Sequence, residues 1–192
     1  MTEPFAQFSE WLEAAKACKE ISEPTAMALA TATKDAIPSV RIVLLKGIDE
    51  RGFVFYTNMA SRKSRELIQN PMASVCFHWM PLSRQVRVGG IVERVSDAEA
   101  DAYFASRPRE SQIGAWASQQ SEPLASHAAL EQAVKEVEKR FEGKEVLRPP
   151  HWSGWRLIPQ EMEFWQQGKF RLHHREVFIR TKDGWDQQLL YP

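Results

Sequence analysis

The sequence has few of the features that mark specialised protein classes. Only two of its 192 residues are cysteines, Cys18 and Cys76, and they form no Cys-x-x-Cys pair. Disulfide frameworks and cysteine-built zinc sites need several suitably spaced cysteines, so we expect two reduced thiols in a reducing compartment. No apolar run reaches the ~18 residues of a membrane helix, and the N-terminus lacks the basic and apolar segments of a signal peptide. These absences predict a cytoplasmic protein.

The sequence also lacks a net charge, because 25 basic residues balance 25 acidic ones. Nucleic-acid-binding domains usually carry a basic excess, so this class is disfavoured, although a local basic pocket is still compatible with the sequence. The length suits one domain with a sizeable core, and no repeat, low-complexity stretch or linker divides the chain. We therefore expect a single domain over 1–192.

The spacing of apolar residues predicts short strands with helices between them. Helices are expected at the N-terminus and at three inserted positions, about 5–19, 61–69, 98–106 and 123–141. Strands are expected at 26–32, 39–46, 53–57, 73–79, 84–95, 154–159, 161–166, 175–181 and 185–190. The second strand is mostly branched and apolar, which predicts a central, buried position. Gly89-Gly90 predicts a bulge or a close approach of another backbone. Mainly antiparallel strands of this length predict a mainly β fold, a small β-barrel with added helices.

Arg41 and Lys46 lie on that apolar strand, and two interpretations stand. A buried cation must be paired or must meet an anionic ligand, whereas cations at the strand ends would reach solvent. On a regular strand, positions 41 and 46 point to opposite faces, so one shared ligand would require a bulge or an approach from two sides.

Tyr56-Thr57 and Ser61-Arg62-Lys63-Ser64 combine a strand end with the start of a helix that carries two cations. Free backbone N–H groups and the helix dipole favour a phosphate at such an N-terminus. The two cations oppose the dipole, and a bound anion would compensate them. The alternative is a solvated Arg-Lys pair.

Tyr103 and Arg107 are four residues apart, on one face of a predicted helix, and Ser111 follows the break at Pro108. A phenol, a guanidinium and a hydroxyl that converge would hold a second phosphate. The alternative is an arginine at a helix C-terminus beside a packed tyrosine.

The C-terminal part contains Arg171, His173 and Arg175, which share one face if residues 171–175 are extended. Three potential cations on one face repel each other unless an anion or an electron-rich ring lies among them. His173 and His174 would point to opposite faces of a strand, so we predict no metal site here.

Taken together, these stretches resemble the pyridoxine (pyridoxamine) 5'-phosphate oxidase family. Six blocks match in family order and span the chain from about Pro4 to Pro192. They are Arg41-Ile42-Val43-Leu44-Leu45-Lys46, Phe55-Tyr56-Thr57-Asn58 with Ser61-Arg62-Lys63, Arg84-Gln85-Val86, Ser106-Arg107-Pro108-Arg109 with Ser111-Gln112-Ile113-Gly114-Ala115-Trp116, Gln120-Ser121, and Glu163-Phe164-Trp165-Gln166 with Arg171-Leu172-His173.

The resemblance implies an FMN-binding split barrel, an antiparallel Greek-key-type fold, that works as a homodimer with FMN at the interface. The implied FMN contacts are Arg41, Val43, Leu44, Lys46, Tyr56, Thr57, Arg62, Lys63, Gln85, Gln120, Ser121, Trp165 and Arg175. The implied contacts of the B6 phosphate substrate are Lys46, Tyr103, Arg107, Ser111, Arg171 and His173. Among these, Arg171 and His173 are expected to orient the pyridine ring for catalysis.

The implied reaction is the FMN-dependent oxidation of pyridoxamine or pyridoxine 5'-phosphate by dioxygen to pyridoxal 5'-phosphate, with release of hydrogen peroxide. Two other functions remain open. One is a flavin or deazaflavin reductase on the same barrel, which would not need the Tyr103, Arg107 and Ser111 group. The other is a non-catalytic carrier or sensor of FMN or pyridoxal phosphate, since a fold does not determine a function.

The sequence departs from the family pattern in three places. His174 occupies a position that is commonly acidic in the family, and the absence of a carboxylate there is expected to loosen Arg175. The ending Gln187-Gln188-Leu189-Leu190-Tyr191-Pro192 lacks the usual arginine. The first helix begins almost at Met1, where many members have a longer arm, so closure of the site is expected to differ.

Overall fold

The computed structural model describes residues 3–192, in which five α-helices accompany nine β-strands. The helices are α1 (Glu3–Ala17), α2 (Arg62–Gln69), α3 (Asp97–Ala105), α4 (Arg109–Ala117) and α5 (His127–Arg140). The strands are β1 (Ala26–Ala32), β2 (Pro38–Leu44), β3 (Gly47–Asp49), β4 (Gly52–Asn58), β5 (Met72–Trp79), β6 (Arg84–Arg94), β7 (Trp152–Gln166), β8 (His174–Arg180) and β9 (Trp185–Leu189).

All nine strands belong to one sheet, and every pairing is antiparallel. The order is β2-β1-β5-β6-β7-β4-β3, and β8 and β9 extend from the second half of β7. The long strand β7 therefore pairs with three neighbours, β4 and β8 along different halves and β6 along most of its length. The predicted mainly β fold with added helices is confirmed.

The sequence suggested two strands at 154–166, but the structure has one, bent at a bulge. Gly90 is opposite Pro159 and Gly89 is opposite Glu161, so Gln160 is an extra residue. The register shift falls at Gly89-Gly90 as predicted, while the extra residue of the bulge lies opposite on β7, next to a proline inside a central strand. A Cβ on Gly90 would lie 2.1 Å from the carbonyl oxygen of Ile158, so the backbones approach too closely for any side chain.

Helix α1 closes the core because its apolar residues recur at helical spacing and face the sheet. Phe5 and Phe8 are fully buried, and the Phe8 ring makes edge contacts with Phe53 and Phe77 at 4.9 and 5.0 Å between centroids. Within residues 3–192, no helix is both long and apolar enough to cross a membrane.

Strand β2 is an edge strand, so the prediction of a central, buried position is wrong. Val40 and Ile42 are 69% and 65% exposed, while Ser39, Arg41 and Val43 alternate with them on a half-buried face. Apolar character alone does not distinguish a strand buried in its own chain from one whose outer face is exposed on that chain.

Three local features of the helices also differ from the predictions. Residues 109–117 form α4, which the sequence analysis missed, and Ser111 lies on it. Helix α5 begins at His127, four residues later than predicted, with Ser126 as its N-cap, whose side chain accepts a hydrogen bond from Ala129 N–H. Helix α3 ends at Ala105, one residue earlier than predicted, and Arg107 lies two residues beyond its end.

Candidate active site

An open cavity of about 610 Å³ lies where β2, the end of β4, the start of α2 and the end of α3 meet. Twelve of the eighteen predicted site residues line it: Arg41, Val43, Leu44, Lys46, Tyr56, Thr57, Arg62, Lys63, Tyr103, Arg107, Gln120 and Ser121. Ser111 lines an adjoining pocket that shares Tyr56, Thr57, Arg107 and Gln120 with this cavity. Trp152, which was not among the predicted site residues, lines both.

Arg41 and Lys46 both line the cavity, and the parity problem does not arise. Strand β2 ends at Leu44, so Lys46 lies beyond the regular strand and strand alternation does not determine its direction. Its backbone N–H donates to the carbonyl oxygen of Val54 on β4.

Lys63 is the most buried cation of the cavity, at 8% exposure. Its Nζ donates to Thr57 Oγ1 at 3.0 Å, Ser61 Oγ at 3.2 Å and Gln120 Oε1 at 3.3 Å, all neutral acceptors. Burial, and to a smaller extent the charge of Arg41, lowers the pKa of Lys63 to about 8. A buried ammonium group with only neutral partners is suited to an anionic ligand.

Glu66 on α2 joins two of the cavity's arginines, and the sequence analysis missed it. Its Oε1 accepts from Arg62 Nε at 2.9 Å, and its Oε2 accepts from Ser39 Oγ at 2.6 Å and from Arg41 Nη2 at 3.3 Å. Thr31 also donates to Oε2. Burial alone would raise the pKa of Glu66, but these hydrogen bonds and the Arg41 charge lower it to about 2. The spacing of Arg62 and Glu66, four residues apart on a helix, was the available signal.

Arg107 is the cation of the second group. Its Nη1 is buried and has no hydrogen-bond partner among the described residues. Its guanidinium lies over the Trp152 ring at 4.8 Å and near the Phe104 ring at 5.5 Å. Within residues 3–192 no carboxylate forms an ion pair with it. Burial lowers the pKa of Arg107. A buried N–H of a charged guanidinium that lacks an acceptor destabilises the protein, so this donor is suited to an anionic ligand that would accept its hydrogen bond.

Three aromatic rings form one stack beside Arg107. Tyr56 stacks on Tyr103 at 4.0 Å and on Trp152 at 5.3 Å, with interplanar angles of 9° and 3°. Burial raises the pKa of both tyrosines, for Tyr56 to about 12, so the phenols are neutral donors at neutral pH. A Cβ on Gly154 would lie 2.7 Å from the Tyr56 ring, so glycine is required there for the stack.

The remaining five predicted site residues lie on another part of the chain. Gln85 and Trp165 are opposite each other on β6 and β7, and the His173 ring lies 4.7 Å from the Trp165 ring. His173 and Arg175 line a separate pocket of about 300 Å³. Arg171 is exposed. In a single chain, the predicted residues therefore form two separate groups.

Residues 171–175 are not extended throughout, so the condition under which Arg171, His173 and Arg175 would share one face is not met. Residues Lys169–Arg171 form a 3-10 turn, in which Phe170 and Arg171 have positive φ angles of 56° and 64°. Gly168 N–H donates to Nδ1 of His173 at 3.3 Å across this turn. A Cβ on Gly168 would lie 1.8 Å from the carbonyl oxygen of Leu172, so the turn requires glycine. Arg171, His173 and Arg175 consequently do not share a strand face.

The loss of an acidic residue at His174 does not leave Arg175 free. Arg175 Nε and Nη2 donate to the buried carboxylate of Glu163 at 2.9 and 3.1 Å, and Nη1 donates to the carbonyl oxygen of Tyr191 at 2.9 Å. Burial would raise the pKa of Glu163, but Arg175 and Arg87 lower it below its usual range. Glu163 thus holds Arg175 from the neighbouring strand.

The antiparallel sheet with its added helices has the split-barrel fold. The same fold occurs in a pyridoxamine 5'-phosphate oxidase-related, FMN binding protein from Nostoc punctiforme PCC 73102, with a TM-score of 0.79, 15% identity and full coverage of both chains. PhzG from Burkholderia lata 383, solved in complex with tetrahydrophenazine-1-carboxylic acid, has a TM-score of 0.94 and 34% identity over 100% of this chain and 94% of its own.

Family models match most of the chain. Residues 13–141 match the model described as pyridoxamine 5'-phosphate oxidase, and residues 152–192 match the pyridoxine 5'-phosphate oxidase C-terminal dimerisation region. The curated pyridoxine/pyridoxamine 5'-phosphate oxidases of Azorhizobium caulinodans and Zymomonas mobilis are 57% and 52% identical over 99% of this chain, and the matches cover 90% and 98% of those proteins.

The chain therefore belongs to the pyridoxine/pyridoxamine 5'-phosphate oxidase family of FMN-dependent oxidoreductases. The predicted family, split-barrel fold, enzyme class and FMN cofactor are confirmed. The dimerisation region confirms the predicted homodimer. The individual roles of the site residues stay predictions.

Proposed function

We propose that residues 1–192 form one split-barrel domain whose homodimer binds FMN at the subunit interface and oxidises pyridoxamine or pyridoxine 5'-phosphate by dioxygen to pyridoxal 5'-phosphate and hydrogen peroxide. One observation carries this proposal. The cavity has two polar groups, one around the buried Lys63 and one around the half-buried Arg107, and within residues 3–192 neither of these two cations has a carboxylate partner. A phosphorylated cofactor and a phosphorylated substrate would need one group each.

The first group suits the phosphate of FMN. Lys63 supplies an ammonium group held by neutral acceptors, and Arg41 and Arg62 supply guanidinium groups beside it. Lys63 and Arg62 lie in the first turn of α2, where the helix dipole also favours an anion. Thr57 and Gln120 already hydrogen-bond to Lys63 and to each other, and they would extend the contact along the cofactor.

The second group suits the phosphate of the substrate. Arg107 presents its unpaired Nη1, Tyr103 presents a neutral phenol, and Ser111 presents a hydroxyl from the adjoining pocket. A phosphate held there would supply binding energy that positions the reacting C4′. Lys46 lines the same cavity and is proposed to contact both ligands.

Dimerisation would bring the separated site residues together. The cavity is open beside β2, whose outer face exposes Val40 and Ile42. Burial of such a face is the usual driving force for association. Trp165, Arg171, His173 and Arg175 fall within the dimerisation region. We propose that these residues and Gln85 of each subunit complete the cavity of the other.

Within the completed site, Arg171 and His173 are proposed to orient the substrate ring. Because Nδ1 of His173 accepts the Gly168 N–H, the neutral ring carries its proton on Nε2 and presents it as a hydrogen-bond donor. When bound, FMN would supply the two-electron redox chemistry between the substrate and dioxygen. The protein binds both ligands, aligns them and places cations where reduction adds negative charge.

A phenazine precursor is a second candidate substrate, favoured by the likeness to PhzG. The name of that protein's ligand contains a carboxylic acid and no phosphate, whereas in this chain the phenol of Tyr103 and the hydroxyl of Ser111 lie with Arg107 at the cavity and its adjoining pocket. Three donor groups match the three oxygens of a phosphate monoester better than the two of a carboxylate, which favours the B6 substrate.

The deciding experiment is anaerobic addition of pyridoxamine 5'-phosphate to the FMN-loaded protein, with the flavin absorbance recorded. We expect the flavin band to bleach and then to return with air as peroxide forms. Pyridoxine 5'-phosphate and tetrahydrophenazine-1-carboxylic acid serve as comparison substrates. A flavin that stays oxidised with both B6 phosphates but bleaches with the phenazine precursor would refute the proposed substrate.

The role of Arg171 is tested by Arg171→Ala, with Lys169→Ala as a matched control from the same turn. We expect the Arg171 variant to lose most of its turnover while it retains FMN, and the Lys169 variant to behave as the parent protein. A loss of FMN from the Arg171 variant that parallels its loss of turnover would contradict the division into cofactor and substrate residues.

A further inference from the structure

Among the residues that the structure describes, Glu66 is the one carboxylate that pairs with both Arg41 and Arg62, the two arginines beside Lys63. Its side chain is 5% exposed, and its two oxygens have different partners. Oε1 accepts from Arg62, and Oε2 accepts from Arg41 and from the hydroxyl groups of Thr31 and Ser39. Arg41 in turn donates to both of these hydroxyl oxygens and to the carbonyl oxygen of Leu29. The carboxylate thus connects α2 to the first two strands.

We propose that Glu66 is a positioning residue, which holds Arg41 and Arg62 in the geometry that receives the flavin phosphate and so makes the protein select FMN over riboflavin. The inference rests on the proposed function of this cavity. Glu66 itself does not line the cavity. It would act through the two arginines.

The first argument is orientation. Arg41 and Arg62 come from different elements, β2 and α2, and long side chains lose considerable rotamer entropy when a ligand orders them. Glu66 orders both before the ligand arrives, because each arginine already donates to one of its oxygens. Arginines fixed in this way lose less entropy on binding a phosphate.

The second argument is charge. Arg41, Arg62 and Lys63 supply three positive charges in one part of the cavity, and the carboxylate of Glu66 offsets one of them. The remaining two match a phosphate monoester, which carries a charge of about −1.5 to −2 at pH 7. Glu66 therefore reduces the repulsion among Arg41, Arg62 and Lys63 when no ligand is bound, and the remaining positive charge still attracts a dianion.

These two arguments make the sign of a mutational effect informative. In Glu66→Gln the negative charge is lost, which by itself would strengthen the attraction for phosphate. The amide group also turns an acceptor into a donor, which leaves one set of donors, at Arg62 or at Arg41, without its partner. If positioning dominates, FMN affinity falls in spite of the added positive charge.

The test is titration of the apoprotein with FMN and with riboflavin, followed by flavin fluorescence. Glu66→Gln is expected to lower the ratio of FMN affinity to riboflavin affinity at least about tenfold, as the loss of a hydrogen bond to a charged group does. Riboflavin affinity should stay within about twofold of that of the parent protein. Glu66→Asp keeps the charge but shortens the side chain, and it is expected to lower the ratio as well.

Glu122→Gln is the matched control. Glu122 pairs with Arg65, which lies on α2 like Glu66, but Glu122 does not line the cavity. We expect it to keep the parent ratio. A ratio that rises in Glu66→Gln and is kept in Glu66→Asp would show that only charge matters, and would overturn the inference. An equal loss of both flavins would show a purely structural role, with the same consequence.

Two further results have separate meanings. A parent protein that binds FMN and riboflavin equally well would refute the phosphate site itself, and with it the proposed function, irrespective of Glu66. If Glu66→Gln fails to fold, Glu66→Asp decides alone. A positioning role predicts that this variant has a lowered ratio of FMN affinity to riboflavin affinity, whereas an effect of charge alone predicts an unchanged ratio.

Discussion

Lys63 makes the binding of FMN depend on pH in a way that follows from its burial. Its pKa in the free protein is about 8, lowered from 10.5 mainly by burial. The lowered pKa means that the empty protein bears a cost of about 3 kcal/mol for keeping this ammonium group charged. Above pH 8 the free protein releases the proton, whereas a bound phosphate would hold it. FMN binding then requires proton uptake, and the affinity falls as pH rises.

The size of the effect follows from this linkage. If bound phosphate keeps Lys63 protonated, the FMN affinity should fall roughly 25-fold between pH 7.5 and pH 9.5. Riboflavin has the same ring system without the phosphate, so the ratio of the two affinities removes the titration of the ring. The assay is a fluorescence titration of the apoprotein with each flavin across this range of pH.

Two variants complete the experiment. Lys63→Met should abolish the pH dependence of the affinity ratio. At pH 7.5 it should weaken the binding free energy of FMN relative to that of riboflavin by about 2 kcal/mol, the contribution of a hydrogen bond to a charged group. Lys16→Met removes an exposed lysine on α1 and should keep the parent profile. A parent ratio that stays constant up to pH 9.5 would refute the reasoning. The same linkage predicts that the apoprotein gains stability from this group as pH rises from 8 towards 10.5, because the unfolded chain still binds the proton there.

Three further predictions follow from the site and its surroundings. Arg107→Met should raise KM for the B6 phosphates at least tenfold, through loss of a charged contact, while FMN content is unchanged; equal KM values would remove Arg107 from the substrate site. Gly154→Ala should displace the Tyr56 ring, since the added Cβ would lie 2.7 Å from it, and should cost about 1–3 kcal/mol of stability in a denaturant titration; an unchanged midpoint would contradict the tight contact. Ile42→Asp should convert the dimer to monomers in sedimentation and weaken FMN binding, and a stable dimer with full FMN content would show that the outer face of β2 lies outside the interface.

Much of the local structure was predictable because it depends on residues close in sequence. The apolar spacing of Phe5, Phe8 and Trp11 predicted α1, and Ser61 before Arg62 predicted the start of α2. Gly89-Gly90 predicted the bulge. Helix α4 was missed because Pro108 suggests an interruption, whereas in the structure it is the N-cap of a new helix.

The membership of the cavity was predictable in part, and the reason is the order of the motifs. Twelve of the predicted residues line one cavity because β2, β4, α2 and α3 meet there. Glu66 was not predicted, because its function depends on Ser39 and Arg41, which are 27 and 25 residues away in sequence. Only the pairing of β1 with β2 and their contact with α2 brings these side chains to one carboxylate.

From the sequence alone, the ordered blocks carried the resemblance to the family, that resemblance implied the FMN cofactor, and residue chemistry indicated which types of side chain could hold a phosphate. The tertiary structure decided where those side chains lie. It made β2 an edge strand, joined two predicted strands into β7, and gave Phe170 and Arg171 left-handed backbone angles. It also separated Trp165, Arg171 and His173 from the cavity of their own chain. Strand pairing and subunit contacts join residues that are distant in sequence, and local periodicity has no information about such contacts.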